Sequence, residues 1–388
     1  MHSQRYVNMD AEDFADGPGT VDRHNGLPCY RPASLPPDLE FTDDAMRVYG
    51  DAQYALGRLA TLHRSVDNEN LLIAPFVVRE AATSSQIEGT NVTVSDIILH
   101  DIETSPERAA ADSKDVREAY NYVDAVREGF ARLEAGEDIS VELICDLHET
   151  LLSDARGVDA NPGELRDVPV YIGSPDGSAA NARFVPANPD TVEILLEQLV
   201  TYINSGSHPP LVDVAITHYQ FETIHPFYDG NGRLGRLLMM LQLYDAGLLP
   251  EPYLYLSAYF NRRRQRYLDY LLEVSRDGAW DQWLSFVLNA IAEQAIDAYD
   301  CGVELQSLQE TYHAKFPSRP AVRDVVDYVF EEPYLTAPRA IDATGRSRQA
   351  VYDAVDALES EGIVEQVSGS ERYRVYEAPE VLAVVGSP

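Results

Sequence analysis

The stretch that decides the fold is His225-Pro-Phe-Tyr-Asp-Gly-Asn-Gly-Arg-Leu-Gly-Arg236, which lies between two apolar stretches at residues 211–224 and 234–249. Apolar residues recur there at helical spacing, so we expect a helix on each side of a short turn. Glycines at 230 and 232 allow backbone conformations that other residues avoid. Main-chain N–H groups of such a turn, opening into a helix N-terminus, form an anion-binding site. The stretch therefore predicts a phosphate site.

Four charged or titratable side chains accompany this predicted phosphate site. Arg233 and Arg236 are three residues apart on the first helical turn, so both can face the site, and guanidinium groups suit phosphate oxygens. Asp229 is placed to hold Mg²⁺, which prefers one or two carboxylates together with substrate oxygens. His225 precedes the turn and suits a general base near neutral pH. These are the parts that phosphoryl or nucleotidyl transfer needs.

The glycines also match a second pattern, Gly230-x-Gly232-x-x-Gly235, which occurs in dinucleotide-binding proteins. That pattern needs a strand immediately before it and a strand–helix–strand unit around it. Here the apolar residues that precede it have helical spacing, and no strand pattern follows. A P-loop is excluded because no lysine follows the glycines. The sequence therefore favours a phosphate site between two helices.

The stretch resembles the signature of the Fic family (Fic/Doc superfamily) at every defining position, His225-x-Phe227-x-Asp229-Gly-Asn-Gly-Arg233-x-x-Arg236. The resemblance covers roughly residues 27–300. It implies a mainly α-helical Fic core at residues 131–300. It also implies AMP transfer from ATP to a Ser, Thr or Tyr hydroxyl of a target protein or of the protein itself.

The resemblance also implies a role for each motif residue. His225 is expected to deprotonate the target hydroxyl, Asp229 to bind Mg²⁺, and Phe227 to anchor the turn in the core. The nucleotide-binding set is Gly230, Asn231, Gly232, Arg233 and Arg236. Within that set, Arg236 is the expected γ-phosphate contact. A second histidine, His218, is expected to be structural. The segment Tyr255-Leu-Ser257-x-Tyr-Phe-Asn261, together with Tyr267, is expected to border the adenine.

A second motif lies far upstream, at Ser84-x-x-x-Glu88-Gly89. Taken alone, it predicts only a helix that ends in a glycine C-cap. It resembles the inhibitory motif of Fic proteins that carry this motif before the core. The resemblance implies that Glu88 pairs with Arg236 and occupies the γ-phosphate space, because a carboxylate that engages a guanidinium removes a phosphate donor. In some members the same glutamate supports AMP removal, so that role stays open for Glu88.

Residues 168–185 have a different residue composition from the predicted helices around them. β-Branched and aromatic residues flank the turn Ser-Pro-Asp-Gly at 174–177, which indicates a hairpin. By resemblance, this hairpin is the flap on which a target peptide docks by adding a strand. The alternative is a plain structural hairpin.

Three segments complete the predicted domain organisation. Residues 1–26 are polar, lack the apolar region of a secretory signal, and are expected to form a flexible tail. Residues 27–130 are expected to be helical and to contain the inhibitory motif, with one helix from Asp43 to Leu62 and another beginning at Pro75. Residues 321–388 alternate helix, helix, helix and hairpin, which indicates a winged helix-turn-helix, with Ser347 capping a helix over 348–360.

The partner of the C-terminal domain is open at this stage. DNA binding requires basic charge, but residues 301–388 contain eight basic and fifteen acidic residues. Four arginines are still candidates for a DNA-docking face: Arg346, Arg348, Arg372 and Arg374. A role in protein contacts or in a homo-oligomer is the alternative.

The net charge of −34 is unusual, and it is spread along the chain. Lysine occurs only at Lys114 and Lys315. This pattern is typical of a protein from a high-salt cytoplasm, where self-repulsion is screened; a single acidic face for a basic partner is the alternative. The cysteines at 29, 145 and 301 match no metal or redox spacing and are expected to be reduced thiols. No apolar run is long enough to span a membrane.

The sequence therefore predicts an autoinhibited protein adenylyltransferase that uses ATP and Mg²⁺ in the cytoplasm of a halophilic organism. Two alternatives remain. One is a Fic enzyme of another chemistry, either AMP removal or phosphorylation. The other is a transcriptional regulator that senses nucleotide in its core and acts through the C-terminal domain.

Overall fold

The computed structural model describes residue 9 and residues 11–62, 70–102, 114–153, 161–367 and 374–386. Within these residues the chain is mainly helical, as the sequence predicts. The helices before the motif are α1 (Asp43–Leu62), α2 (Asn70–Ile87), α3 (Val94–Ile102), α4 (Lys114–Glu134), α5 (Val141–Leu152), α6 (Val192–Ser205) and α7 (Pro210–Ile224). The helices after it are α8 (Asn231–Asp245), α9 (Leu256–Arg262), α10 (Arg264–Asp277), α11 (Trp280–Lys315), α12 (Pro320–Glu331), α13 (Ala337–Thr344), α14 (Arg348–Ser360) and α15 (Pro379–Gly386).

Two small antiparallel sheets accompany these helices. Their strands are β1 (Thr20–His24), β2 (Leu27–Arg31), β3 (Tyr334–Thr336), β4 (Glu365–Gln366) and β5 (Val375–Glu377). The chain divides into two compact units. The first contains Met1–Tyr54, Asp124–Leu248 and Tyr259–Ala292. The second contains Ala55–Val123, Leu249–Ala258 and Glu293–Pro388. None of the helices in the described residues is long and apolar enough to cross a membrane.

The core of the first unit is built around α7 and α8. Nearly every residue of both helices is buried, which suits helices that are apolar on most of their circumference. These two helices pack against each other, with α6 against α7 and α5 against α8. The short turn that joins α7 to α8 is therefore held between two helices that cannot move independently of the core.

The N-terminal segment differs from the predicted flexible tail. Strands β1 and β2 form a hairpin in which Thr20 pairs with Arg31 and His24 with Leu27. The turn residues Asn25 and Gly26 both have positive φ, as a two-residue turn of the primed type requires. Two consecutive residues of β2, Cys29 and Tyr30, are fully buried. They belong to a core cluster whose other members include Met9, Phe14 and Phe184. Burial of these apolar groups stabilises the segment. Residues 1–8 and 10 lie outside the described residues.

The predicted hairpin at 168–185 is present only as a single antiparallel bridge between Ile172 and Phe184. Gly173, with φ of 68°, interrupts the extended backbone. The wide turn that follows is organised by the Asp176 carboxylate, which accepts hydrogen bonds from Ser174 Oγ, from Ser178 N and Oγ, and from Asn181 Nδ2. These side-chain hydrogen bonds lower the pKa of Asp176. Local hydrogen bonding by a turn residue thus replaces most of the expected strand ladder.

Helix α2 of the second unit starts earlier than the sequence predicts. It begins at Asn70, so Pro75 lies inside the helix and not at its first position. Helix α1, in contrast, has the predicted bounds of Asp43 and Leu62. Helix α2 packs against α3, α12 and α15.

The C-terminal elements of the second unit follow the order α12, β3, α13, α14, β4, β5 and α15. The strands form a sheet in the order β3–β5–β4, and α12 packs against α13 and α14. Helix α14 has the predicted bounds of Arg348 and Ser360, and the Ser347 side chain accepts from Ala350 N. The sequence predicts hairpin strands at 363–367 and 372–376, and the observed strands β4 and β5 are shorter. Arg372 and the rest of residues 368–373 lie outside the described residues.

Candidate active site

The motif loop, residues 225–230, joins α7 to α8 between two residues with left-handed backbone. His225 ends α7 with φ of 51° and ψ of 64°, and its N–H donates to Phe221 O at 2.8 Å. Gly230 begins α8 with φ of 77°. Glycine adopts this conformation easily, but a histidine there carries backbone strain that its surroundings must offset. Strain of this kind at a predicted general base is typical of a functional site.

The His225 imidazole lies against the last turn of its own helix. Its Nδ1 is 3.3 Å from Glu222 O and 3.8 Å from Glu222 Oε2, and 18% of the side chain is exposed. When Nδ1–H donates to the Glu222 carbonyl, the neutral ring carries its lone pair on Nε2. The nearby carboxylate favours the imidazolium that forms after proton uptake. In that tautomer, Nε2 is the ring nitrogen able to accept a proton.

The Asn231 side chain is hydrogen-bonded to the main chain of the motif loop. Its Oδ1 accepts from Phe227 N at 2.9 Å, and its Nδ2 donates to Phe227 O at 2.9 Å. Phe227 is fully buried and its ring stacks on that of His148, with 3.7 Å between the ring centres. Phe227 is therefore the hydrophobic anchor that the resemblance implies. The structure gives Asn231 a second role, because its side chain is engaged with the loop. Its main-chain N–H, in the first turn of α8, is the group suited to a phosphate.

The predicted phosphate and metal residues all lie on the motif loop or on the first turns of α8. The Asp229 side chain is 55% exposed, and its Oδ1 accepts from Gly230 N at 2.7 Å. Arg233 is buried, with Nη2 3.8 Å from Asp229 Oδ1. Arg236 is also buried, and Gly232 is the second residue of the helix. An exposed carboxylate beside these groups fits Mg²⁺, which takes its other ligands from water and substrate phosphates.

A buried histidine that no sequence motif indicates also supports the loop. His148 Nδ1 accepts from Gly163 N at 2.9 Å, so Nε2 carries the hydrogen and donates to Asp229 O at 3.0 Å. Burial lowers the pKa of His148 to about 4. Both ring nitrogens are thus engaged in the neutral form, and protonation of Nδ1 removes the acceptor for Gly163.

His148 makes the free energy of unfolding decrease as the pH is lowered. Between about pH 6.5 and about pH 4 the unfolded chain protonates His148 but the folded chain does not. The free energy of unfolding should therefore fall as pH falls through this window, by up to about 3 kcal/mol from this group. Urea unfolding of the wild type and of His148→Gln at pH 7 and pH 4 measures the effect. Equal pH dependence in the two proteins would contradict it.

His218 occupies the structural position that the sequence predicts. Its Nε2 lies 2.7 Å from the Tyr267 hydroxyl, and its ring stacks with those of Phe260, Tyr267 and Trp283. Burial, with a further contribution from the charge of Arg236, lowers the pKa of His218 to about 3. Such a ring stays neutral over the physiological range and is poorly suited to accept a proton.

The remaining predicted residues lie in the second unit. Ser84 is buried in α2, and Gly89 follows the end of that helix with φ of 98°, as a C-cap glycine does. Glu88 lies beyond the helix end and is exposed. The Tyr255 hydroxyl lies within hydrogen-bonding distance of Arg79 and Asp297. Ser257 donates from both its N–H and its hydroxyl to Glu80.

Comparison with known proteins is consistent with this arrangement. Two family models match, "Fic/DOC family N-terminal" over residues 46–131 and "Fic/DOC family" over residues 138–243. Protein adenylyltransferase fic-1 of Caenorhabditis elegans is 35% identical over 117 residues, which is 29% of this chain and 21% of that protein. Protein adenylyltransferase Fic of Aedes aegypti is 30% identical over 164 residues, which is 42% of this chain and 29% of that protein. The chain thus matches less than a third of the length of these relatives.

Solved structures support the same fold. A Fic family protein from Desulfovibrio desulfuricans G20 aligns with a TM-score of 0.56 at 19% identity, over 88% of this chain and 98% of that one. Fic-1 from Caenorhabditis elegans aligns with a TM-score of 0.50 at 21% identity, over 68% of this chain and 73% of that one. The two family models include the motif loop and the segment that contains Glu88. The chain belongs to the Fic/DOC family, with the family's N-terminal region preceding its Fic domain.

Proposed function

We propose that this protein transfers AMP from ATP to a hydroxyl group of a protein substrate. The observation that carries the proposal is the placement of His225, whose Nδ1 is held by Glu222, on the same short loop as Asp229 and directly before the N-terminus of α8. A proton acceptor, a carboxylate and a helix N-terminus with two arginines meet there. The names of the curated relatives, protein adenylyltransferases, support the same reaction.

In the proposed reaction, Nε2 of His225 takes the proton from the target hydroxyl. The hydroxyl oxygen then bonds to the α-phosphorus of ATP, and the bond between that phosphorus and the oxygen bridging to the β-phosphate breaks, so that pyrophosphate leaves. The N–H groups at the start of α8, together with Arg233 and Arg236, orient the phosphates and offset the negative charge of the departing pyrophosphate. Asp229 would hold Mg²⁺, which when bound would supply further charge neutralisation.

The position of the label in ATP distinguishes this reaction from other Fic chemistries. Wild type, Glu88→Gly and His225→Ala are incubated with Mg²⁺ and ATP that is labelled at either the α- or the γ-phosphate. Protein-bound α-label that disappears in His225→Ala supports AMP transfer. Protein-bound γ-label would identify a kinase, and release of AMP from a pre-labelled protein would identify AMP removal. Absence of α-label from both wild type and Glu88→Gly would refute the proposal.

We propose that Glu88 restrains the activity of the resting protein. The support is the match of Ser84, Glu88 and Gly89 to the inhibitory motif and the helix end that these residues form. If Glu88 pairs with Arg236, the arginine expected to contact the γ-phosphate, removal of the Glu88 carboxylate makes that arginine available to ATP. A charge-assisted hydrogen bond of this kind contributes about 1.5–3 kcal/mol.

Glu88→Gly is therefore expected to raise the rate of α-label transfer by roughly 10- to 100-fold. Glu88→Gln is the matched variant, because it removes the charge without adding backbone freedom and should be activated as well. Activation by glycine but not by glutamine would assign the effect to backbone flexibility. Equal rates in wild type and both variants would remove the inhibitory role.

We propose that the target peptide docks along residues 168–185, near the antiparallel bridge between Ile172 and Phe184. The support is the antiparallel bridge together with the strand-forming residues around it, because strand addition uses the same main-chain pairing. Pairing of this kind is made through main-chain groups and tolerates many peptide sequences.

We propose that the C-terminal elements form a winged helix used for contacts with protein. Their order, α12–β3–α13–α14–β4–β5, supports the winged-helix assignment. One candidate DNA-binding arginine, Arg346, donates from Nε to the Asp324 carboxylate. The exposed residues of α14 include Asp353, Asp356 and Glu359. Carboxylates repel the phosphates of DNA, so this face favours a protein partner over DNA. It therefore counts against a transcriptional regulator that senses nucleotide and binds DNA.

We propose a high-salt cytoplasm as the setting of this protein. A net charge of −34 with two lysines supports this reading, because concentrated salt shortens the range of repulsion between surface carboxylates. The expected transfer rates accordingly refer to the protein in concentrated KCl. At low ionic strength, self-repulsion would destabilise the folded state and obscure the effect of single substitutions.

A further inference from the structure

Arg166 has an unusual environment for an arginine. Its side chain is 2% exposed, yet each of its side-chain hydrogen bonds goes to a main-chain carbonyl. Nε donates to His225 O at 2.7 Å, Nη1 to Val168 O at 3.0 Å, and Nη2 to Ile224 O at 3.1 Å and to Ala187 O. Burial lowers the pKa of the guanidinium to about 10. A buried cation with these partners requires dense hydrogen bonding to offset its desolvation.

The two acceptors at the C-terminal end of α7 show what this bonding does. The last carbonyls of a helix have no donor within the helix. Ile224 O and His225 O are of this kind, and they carry the partial negative charge of the C-terminus of α7. The Arg166 fork supplies both donors and a positive charge at the point where the chain turns into the left-handed conformation of His225. It therefore stabilises the strained backbone from which the imidazole projects.

The contacts around Arg166 continue along the motif loop. We call residues 161–168 the bracing segment. The N–H of Arg166 donates to Pro226 O at 2.9 Å. Asp167 N donates to the Tyr228 hydroxyl at 3.1 Å, and that hydroxyl donates to Asp167 Oδ1. At the other end of the bracing segment, Gly163 reaches the loop through His148. Successive main-chain groups of the loop are thus fixed by one short segment about 60 residues earlier in the chain.

We propose that Arg166 is a positioning residue that, with the bracing segment, fixes the main chain of His225 so that its imidazole is aimed at the target hydroxyl. This inference rests on the proposed function. Lysine cannot replace arginine in this role. Its single ammonium lacks the planar fork that spans His225 O on one side and Ile224 O and Ala187 O on the other.

The first test separates positioning from nucleotide binding. Arg166→Lys and Arg166→Gln are made in the Glu88→Gly background and compared in single-turnover transfer of α-label at saturating ATP. Misplacement of a reacting group by about 1 Å costs on the order of 100-fold, which is the loss expected here, while the Kd for ATP stays unchanged. Arg132→Gln is the matched control, since Arg132 binds the carboxylates of Glu137 and Asp146 in the same unit and not the motif loop. A parallel rise in Kd would overturn the inference.

The second test does not depend on catalysis. The ring signals of His225 in a ¹³C-labelled protein are assigned by their loss in His225→Ala and followed in each variant. We expect them to shift in the Arg166 variants and to stay in place in Arg132→Gln. Unchanged signals in Arg166→Lys would overturn the inference whatever the transfer rate. If wild type and Glu88→Gly transfer no label, the proposed function fails, and the ring signals still decide the role of Arg166.

A surface variant covers the case in which neither Arg166 variant folds. Tyr228→Phe removes both hydrogen bonds between the loop and Asp167 while leaving the core unchanged. A shift of the His225 signals in this variant supports bracing of the loop, and unchanged signals reject it.

Discussion

Replacement of His225 by alanine is expected to lower the rate of α-label transfer by about 10²–10⁴-fold, the range that general acid–base catalysis supplies. The structure gives a physical reason for so large an effect. The ring is held through Nδ1 by Glu222, which directs the lone pair of the neutral form to Nε2, and the adjacent carboxylate favours the charged product. Alanine removes the proton acceptor but leaves the phosphate-binding groups of α8 in place. The Kd for ATP should therefore change little.

The chain offers a closely matched control in His24. Its side chain is also 18% exposed and also faces a carboxylate, with Nδ1 3.3 Å from Asp190 Oδ2. His24→Ala removes the same number of atoms from the same compact unit, but from a histidine that the structure places in strand β1. We expect it to transfer AMP at the wild-type rate. If both alanine variants are equally impaired, the loss reflects stability and His225 is not the base.

Replacement of Asn231 by alanine is expected to impair both stability and transfer. The substitution removes the two hydrogen bonds at 2.9 Å to the N–H and carbonyl of Phe227 and leaves both of these buried groups without their partner. Loss of satisfied buried partners costs about 1–3 kcal/mol of unfolding free energy. The released loop also moves Asp229 and His225 from their positions, so transfer should fall by roughly 100-fold.

Urea unfolding and single-turnover transfer measure the two effects on the same preparation. The control is Asn204→Ala, in which one hydrogen bond to a main-chain carbonyl, Ile139 O at 2.8 Å, is lost away from the loop. This variant should lose some stability and keep the transfer rate. A wild-type rate in folded Asn231→Ala would show that the loop does not need this clamp.

Some of the fold could be read from the sequence because the signals are local. The acidic start and apolar spacing of α1 predict its bounds, as does the Ser347 cap for α14. The Asn-Gly turn at residues 25 and 26 is an equally local signal for the N-terminal hairpin, although the polar composition of this segment predicts a flexible tail. At residues 168–185 the strand-forming residues predict more strand pairing than the fold has, because hydrogen bonds to the Asp176 carboxylate organise a wide turn there.

The candidate site also has a part that local sequence predicts and a part that it does not. Its chemical groups lie within one stretch of twelve residues, so the spacing of His225, Asp229 and Arg233 was sufficient to predict them. Its supports were not predictable, because His148 and Arg166 act across about 80 and 60 residues of chain. A lone histidine on an amphipathic helix and a lone arginine in a loop carry no periodic signal. Only the folded chain shows which carbonyls they reach.

The choice of acceptors by Arg166 has a consequence for how the sequence can drift over evolutionary time. Every residue type presents a main-chain carbonyl, so Val168, Ala187 and Ile224 can each be exchanged without deleting the group that the guanidinium binds. The contact therefore depends on the residue type at position 166 alone. We expect substitutions at the three acceptor positions to leave the loop geometry intact. Position 166, by contrast, tolerates only a side chain with the same planar set of donors.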